Sequence, residues 1–224
     1  MKKIAKQYCE EGLYPIPVQY KGKTPTVPGW TNLKVTTDNA EQYFNGKETN
    51  IGILLVDGLI DIDIDDERLL GLAKYILPPS GLVFGRASKR SSHYLYKSDH
   101  QETKRYTFGK KTLIEIRSKG CQTVVPPSTH TEGEVITWER RESLTKTSSE
   151  QITQCVGLLA FTSIILNYYP SVSGERNDVC DAITGVLLRA GFGTEDIDTT
   201  VTFIAQHCGD EEYRKRAKAK TIKK

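Results

Sequence analysis

Asp61, Asp63 and Asp65 alternate with Ile60, Ile62 and Ile64, and Asp66 and Glu67 follow at once. A period of two is the mark of a β-strand with unlike faces, so the isoleucines point to a core and the aspartates form a row. Same-face residues on a strand lie roughly 6 to 7 Å apart. Carboxylates so placed repel one another, and Asp is a poor strand former. Such a row gains most from a cation held over it. A pair of divalent ions bridged by carboxylates, as in phosphoryl transfer, is the chemistry it suits. The plainer reading is a solvated strand face.

Other residues with chemical potential follow in order. Gly85 to Ser92 is a polar, basic stretch (Arg86, Ser88, Lys89, Arg90, Ser91) that ends in His93. Glu115 stands alone among apolar neighbours, between Ile114 and Ile116, with Arg117 two residues on. Last comes the turn Pro126-Pro127-Ser128-Thr129-His130. Gly22-Lys23-Thr24 has the tail of a phosphate-binding P-loop, but its first glycine would fall at Pro17, so that match fails. Ser128 has no coherent base for a hydrolase, and His100, His130 and His207 are read as lacking chemical roles. Trp30 and Trp138 are read as core residues.

Several elements must position these groups. Residues 2–11 read as a helix closed by Gly12, and Leu13 to Gln19 as an edge strand because of Pro15 and Pro17. A short helix is expected over 36–44. Ile51 to Val56 and Leu59 to Asp65 read as a hairpin about Asp57-Gly58, a type I′ signal. A helix is expected over 67–77, then short strands at 82–84 and 94–96 around the polar loop. Residues 113–117 and 123–125 read as a further hairpin-like pair, and 134–138 as the last strand. After polar residues 141–150, taken as a linker, the pattern turns helical: 151–167, 176–190, and 194–208 with Thr194 as N-cap. The end, 211–224, reads as helical and then strongly basic through Lys223 and Lys224. The expected fold class is α+β, with a mostly antiparallel catalytic domain over 1–140 and an all-helical domain over 151–224.

Composition agrees with a globular chain: 224 residues, 38% hydrophobic and 26% charged, with net charge +3. That charge permits nucleic acid as a partner without demanding it. Five scattered cysteines without a C-x-x-C argue against a zinc site or a disulfide framework. No apolar run nears 18 residues and the start carries no signal-like core, so a soluble cytoplasmic protein with no membrane partner is expected.

Taken together, the order of these pieces resembles the primase-polymerase branch of the archaeo-eukaryotic primase superfamily. The resemblance rests on Ile62-Asp63-Ile64-Asp65-Asp66-Glu67, Ser91-Ser92-His93, Leu113-Ile114-Glu115-Ile116-Arg117, and Gly120 through Pro126-Pro127-Ser128-Thr129-His130 to Gly133. Gly12-Leu13-Tyr14-Pro15, Lys23-Thr24-Pro25 and Gly29-Trp30 resemble the family's opening. Gly174-Glu175-Arg176-Asn177 resembles the helical domain often appended to such primases. Asp61 stands where the family carries an apolar residue, so an Asp61/Asp63 register competes with Asp63/Asp65, and the latter is preferred. Glu115 stands where Asp is more usual.

The resemblance implies a DNA primase/polymerase, a nucleotidyltransferase acting with (d)NTPs on a single-stranded DNA template, in replication of a plasmid, phage or other mobile element. Asp63, Asp65 and Glu115 would hold two Mg²⁺ or Mn²⁺ ions, and His93 would contact the incoming triphosphate. Arg86, Ser88, Lys89, Ser91 and Arg117 are candidate nucleotide contacts. Lys23, Arg176, Asn177, Arg214 and Arg216 are candidate nucleic-acid contacts. A helicase would act in trans or from sequence beyond Lys224. The competing readings are a metal-dependent nuclease, since acids on strands also serve hydrolysis, and a catalytically idle nucleic-acid-binding module of a replisome.

Overall fold

The computed structural model describes residues 1–45 and 48–222; Lys223 and Lys224 of the basic end lie outside them. The chain is α+β, in three layers. The middle layer is a seven-stranded sheet made of β3 (Leu59–Ile64), β4 (Leu82–Arg86), β5 (Lys89–Ser98), β6 (Lys104–Phe108), β7 (Lys111–Arg117), β9 (Ile136–Arg141) and β10 (Thr145–Thr147). Its order is β6-β7-β3-β5-β4-β9, with β10 pairing parallel to β5 and the other pairs antiparallel. A small antiparallel sheet, β1 (Pro15–Gln19), β2 (Thr49–Leu54) and β8 (Gln122–Val125), lies on one side with helix α1 (Lys2–Glu10). The one-turn helix α2 (Ala40–Tyr43) lies between β1 and β2 in the chain. On the other side pack α3 (Leu70–Ile76), α4 (Ser149–Ile165), α5 (Ser173–Arg189) and α6 (Thr194–His207). The short α7 (Ala219–Ile222) closes that layer through Ala219.

The alternation in β3 decides which layer each side chain meets. Ile60, Ile62 and Ile64 are fully buried against the helices, in one core with Leu72, Ile152, Val156 and Val201. Burial of each is worth about 1.5–3 kcal/mol. Leu59 shares the opposite face with Asp61 and Asp63 and packs toward the small sheet, beside Phe84 and Leu95. The acids therefore look into the space between the two sheets.

Several sequence expectations differ from the structure in pairing. Asp57 and Gly58 do form a tight turn with positive φ (53° and 78°), but β2 and β3 part after it into different sheets. β2 is buried on both faces and is flanked by β1 and β8. Likewise β7 and β8 are not a pair: β7 lies between β3 and β6, and β8 on β2. The polar loop expected over 85–93 is instead the tip of the β4–β5 hairpin, with His93 mid-strand opposite Phe84. The helix expected over 36–44 is confined to Ala40–Tyr43. Residues 141–150, read as a linker, hold β10 and the start of α4, whose N-cap Ser148 accepts from the Gln151 N–H. The N-cap of α6 is Gly193, one residue before Thr194. Beyond α6, residues 213–216 form a 3-10 turn before α7, not a continuous helix.

Candidate active site

Register brings the acids and bases of the sequence together. Asp63 lies opposite His93 on β5 and opposite Glu115 on β7, while Asp61 lies opposite Leu95 and Arg117. Asp61 is fully buried. Its two carboxylate oxygens receive the Nδ1–H of His93 at 3.2 and 3.1 Å. The Arg117 Nη1 lies 3.6 Å from both Asp61 Oδ2 and Asp63 Oδ2. The His93 Nε2 is 3.6 Å from Asp63 Oδ1, and the ring stacks on Phe84 with centroids 4.6 Å apart. Burial alone would push Asp61 up; the charge and hydrogen bond of His93, then Arg117, outweigh it and hold the carboxyl below its usual range. Burial works against the charged imidazole, but Asp63 and Asp61 raise His93 above its ordinary value. The two carboxylates thus favour the charged form of the imidazole between them.

Asp63 and Asp65 face a cleft of about 240 Å³ between the sheets, which Lys23, Arg86, Lys89, His93, Arg117 and His130 also line. Asp65 follows the end of β3, and Lys89 lies 4.0 Å from it. Burial, and then the charge of Asp63, raise Asp65, with Glu115 adding to the rise and Lys89 opposing it. The neighbouring Asp66 turns away toward α4. It accepts from Arg68 Nη2 at 2.7 Å and from the Ser163 hydroxyl, and these outweigh its burial to bring its pKa down to about 2. Glu115 is tied to Arg105 of β6 and lies 3.9 Å from the Arg117 Nε. Among the described residues no three His, Cys, Asp or Glu side chains converge as a ready metal cage. The donor chemistry nonetheless suits a hard divalent cation: Asp63 and Asp65 offer anionic oxygens, and mutual repulsion destabilises Asp65 in its charged form. Glu115 joins them only if it leaves Arg105.

The opposite wall is pinned by buried polar side chains. Asn50, fully buried, donates to the Gly22 and Thr129 carbonyls and accepts from the Thr129 N–H at 2.9 Å. Gln122 donates to the Lys23 carbonyl at 2.9 Å, and the Ser128 hydroxyl accepts from the Ile51 N–H. These bonds fix Lys23 on one turn and His130 on another, facing the acids.

The remaining sequence candidates fall in different places. Arg86 lines the cleft but is held by Glu134 at 2.8 Å, Glu132 at 3.2 Å and His130 Nε2 at 3.0 Å. Ser88 gives both its N–H and its hydroxyl to Glu134. Ser91 lies on the helix side of the sheet with Val83 and Tyr94. Its positive φ of 51°, beside the β4–β5 bulge, breaks the alternation that would have aimed it with His93. Arg176 and Arg216 serve an internal cluster about buried Asp210, with the Arg216 Nε 2.9 Å from its carboxylate; Asn177 accepts from Arg216 and Lys218. Arg216 is only 6% exposed, so its charge is taken up within the fold instead of being offered to nucleic acid. Arg214 stays exposed over Tyr213.

The buried partnership of Asp61, the stack of Phe84 on His93 and the place of His130 in the cleft lining are not legible in the sequence. His130 carried a signal, since it ends the Pro-Pro-Ser-Thr-His turn quoted above, but nothing in that motif shows the turn folding back to Arg86. Comparison with protein families matches residues 5–155, about two thirds of the chain, to Prim-Pol, described as bifunctional DNA primase/polymerase, N-terminal. A search of curated proteins gave no match.

Proposed function

Because the chain belongs to the bifunctional DNA primase/polymerase family, we propose that its cleft joins nucleotides on a single-stranded DNA template by two-metal nucleotidyl transfer. One observation carries this reading. Asp63 and Asp65 line a single cleft with Lys89, His93 and Arg117 of their own sheet and with Lys23 of the opposite wall, an arrangement that suits cations beside a polyphosphate. A nuclease needs the acids but has no use for so many cations around one cleft.

Two Mg²⁺ or Mn²⁺ ions, when bound, supply activation of the attacking hydroxyl and charge neutralisation at the phosphates. Asp63 and Asp65 would hold them, with Glu115 as the third carboxylate. With Nδ1 held by Asp61, His93 turns Nε2 toward the cleft, where the charged form that Asp61 and Asp63 favour would donate to a phosphate. Lys89 and Lys23 bring positive charge to the two sides of the cleft, and Arg117 balances the acids from below. Phe84 keeps one face of His93 dry, so its ring has one orientation. Replication of a plasmid, phage or other mobile element, with a helicase as partner, is the setting that suits such an activity.

The test is incorporation of a single labelled nucleotide opposite a chosen template base, with Mg²⁺ or Mn²⁺ and each nucleotide set in turn. The reading requires the incorporated nucleotide to change when the template base changes, and incorporation to vanish in Asp63→Asn and Asp65→Asn. Metal-dependent shortening of the primer without added nucleotide would establish the nuclease instead. DNA binding with no reaction under any condition would leave an idle module.

A further inference from the structure

The sheet edge next to the cleft has a composition that the catalytic reading does not use. Residues 104–111, Lys104-Arg105-Tyr106-Thr107-Phe108-Gly109-Lys110-Lys111, hold four cations and no acid. They form β6, the turn at Gly109 (φ 60°) and the start of β7. Among the described residues β6 pairs only with β7, as the edge of the large sheet. Arg105 lies opposite Glu115, and Glu115 opposite Asp63, so the cleft face reaches this edge at Arg105, two strand spacings or about 10 Å away. Tyr106 and the Phe108–Tyr168 pair lie round the edge on the helix side. Lys111 reaches back toward the end of β3, 3.9 Å from Asp66.

Lysines on an edge strand have a plain purpose, since they discourage pairing with other chains. The aromatics do not share it. Phe108 is 40% exposed and Tyr168, at the end of the α4 segment, 65%. They meet edge to face with centroids 6.1 Å apart, and Lys104 lies 5.0 Å over the Tyr106 ring. Exposed rings raise the risk of association that the lysines would lower. Rings set among cations are what unpaired bases and their phosphates require together: a face to stack on and charge along the backbone.

We propose that the β6–β7 hairpin, with Phe108 and Tyr168, is a docking surface for single-stranded nucleic acid passing the edge of the cleft. Phosphates lie along Lys104, Lys110 and Lys111, and a base stacks on the Phe108–Tyr168 pair. The exposed rings favour a single strand over a duplex, whose bases are already stacked. That the strand is the template rests on the polymerase reading; the surface itself does not.

Fluorescence anisotropy of a labelled mixed-sequence oligonucleotide, single-stranded or duplex, tests this with the full chain and neither metal nor nucleotide. In Lys104→Ala/Lys110→Ala the slope of log affinity against log salt should fall in magnitude by about 1.4 for the single strand. Phe108→Leu, which keeps apolar volume and loses the ring, should weaken single-strand binding about tenfold and leave duplex binding unchanged. Thermal melting equal to the parent's excludes misfolding as the cause. Unchanged slope and affinity, or equal weakening of duplex binding by Phe108→Leu, would overturn the proposal. A chain that extends no primer yet shows the expected losses would retain this surface and sink the catalytic reading, whereas an active polymerase whose variants bind as the parent does would sink the surface alone.

Discussion

Replacing Asp61 by Asn tests whether the buried acid is the counter-ion that the geometry makes it. The side chain keeps its shape and one acceptor oxygen but loses its charge, while His93 and Arg117 keep theirs. Breaking a buried ion pair by removing one partner costs about 3–5 kcal/mol, chiefly because the other charge is left uncompensated. Here Asp63 lies 3.6 Å from both His93 Nε2 and Arg117 Nη1 and retains part of the compensation. The expected loss is therefore at the lower end, about 3 kcal/mol, which in a chain of this size lowers Tm by about 6–12 °C. Urea unfolding of Asp61→Asn, Arg117→Met and the double variant apportions the loss. Since removal of Arg117 also removes an uncompensated charge, the double variant should be more stable than the sum of the single losses by about 1–3 kcal/mol. An Asp61→Asn variant within about 0.5 kcal/mol of the parent, or losses that simply add, would refute the pairing.

Three further outcomes follow from packing and charge. Burial would raise Asp210, but Arg216, Tyr169 and the Glu212 N–H outweigh it and bring its pKa to about 2. Its stabilisation is thus fully present above the unfolded value of 3.8 and lost as pH falls through about 2; Asp210→Asn should cost roughly 2 kcal/mol at pH 7 and flatten the acid limb of a stability–pH curve. In Gly85→Ala the new Cβ would meet the Lys89 carbonyl oxygen at 2.4 Å and the Ser91 nitrogen at 2.8 Å. Both are backbone atoms, so the hairpin that carries Arg86 and Lys89 must open, with a loss of about 1–3 kcal/mol in urea unfolding and weaker nucleotide binding. Asn50→Ala leaves the Gly22 and Thr129 groups without partners, a loss of about 2–3 kcal/mol, and it should raise KM for nucleotide more than it lowers kcat because Lys23 and His130 lose their anchor.

The strand faces of this fold were legible in the sequence, and the strand partners were not. Alternation in β3 correctly sends Ile60, Ile62 and Ile64 to the helices, because a period of two is a local property. It carries no information on neighbours. The Asp57-Gly58 turn formed as its residues require, yet it joins two sheets, since β2 buries both faces. β6 was missed because four of its five residues are exposed, which leaves no contrast between its faces to detect. Asp61 looked like its neighbours Asp63 and Asp65; only the cross-strand register to Arg117 and the reach of His93 reveal it as the buried member of the row. Arg176 and Arg216 read as a basic surface because their acid, Asp210, is brought to them by the turn after α6. Of the residues named from the family resemblance, Asp63, Asp65, Arg86, Lys89, His93 and Arg117 line the cleft, whereas Ser91 is turned to the other face of the sheet beside a positive φ.

The central claim is that Asp63 and Asp65 present the metal-binding carboxylates while Asp61 is spent on His93 and Arg117. Anomalous diffraction from crystals grown with Mn²⁺ and a non-hydrolysable nucleoside triphosphate locates the ions directly. The expected map has manganese between the carboxylates of Asp63 and Asp65, phosphates against Lys89 and His93, and Asp61 still bonded to His93 Nδ1. Manganese on Asp61 and Asp63, with His93 displaced, would contradict it.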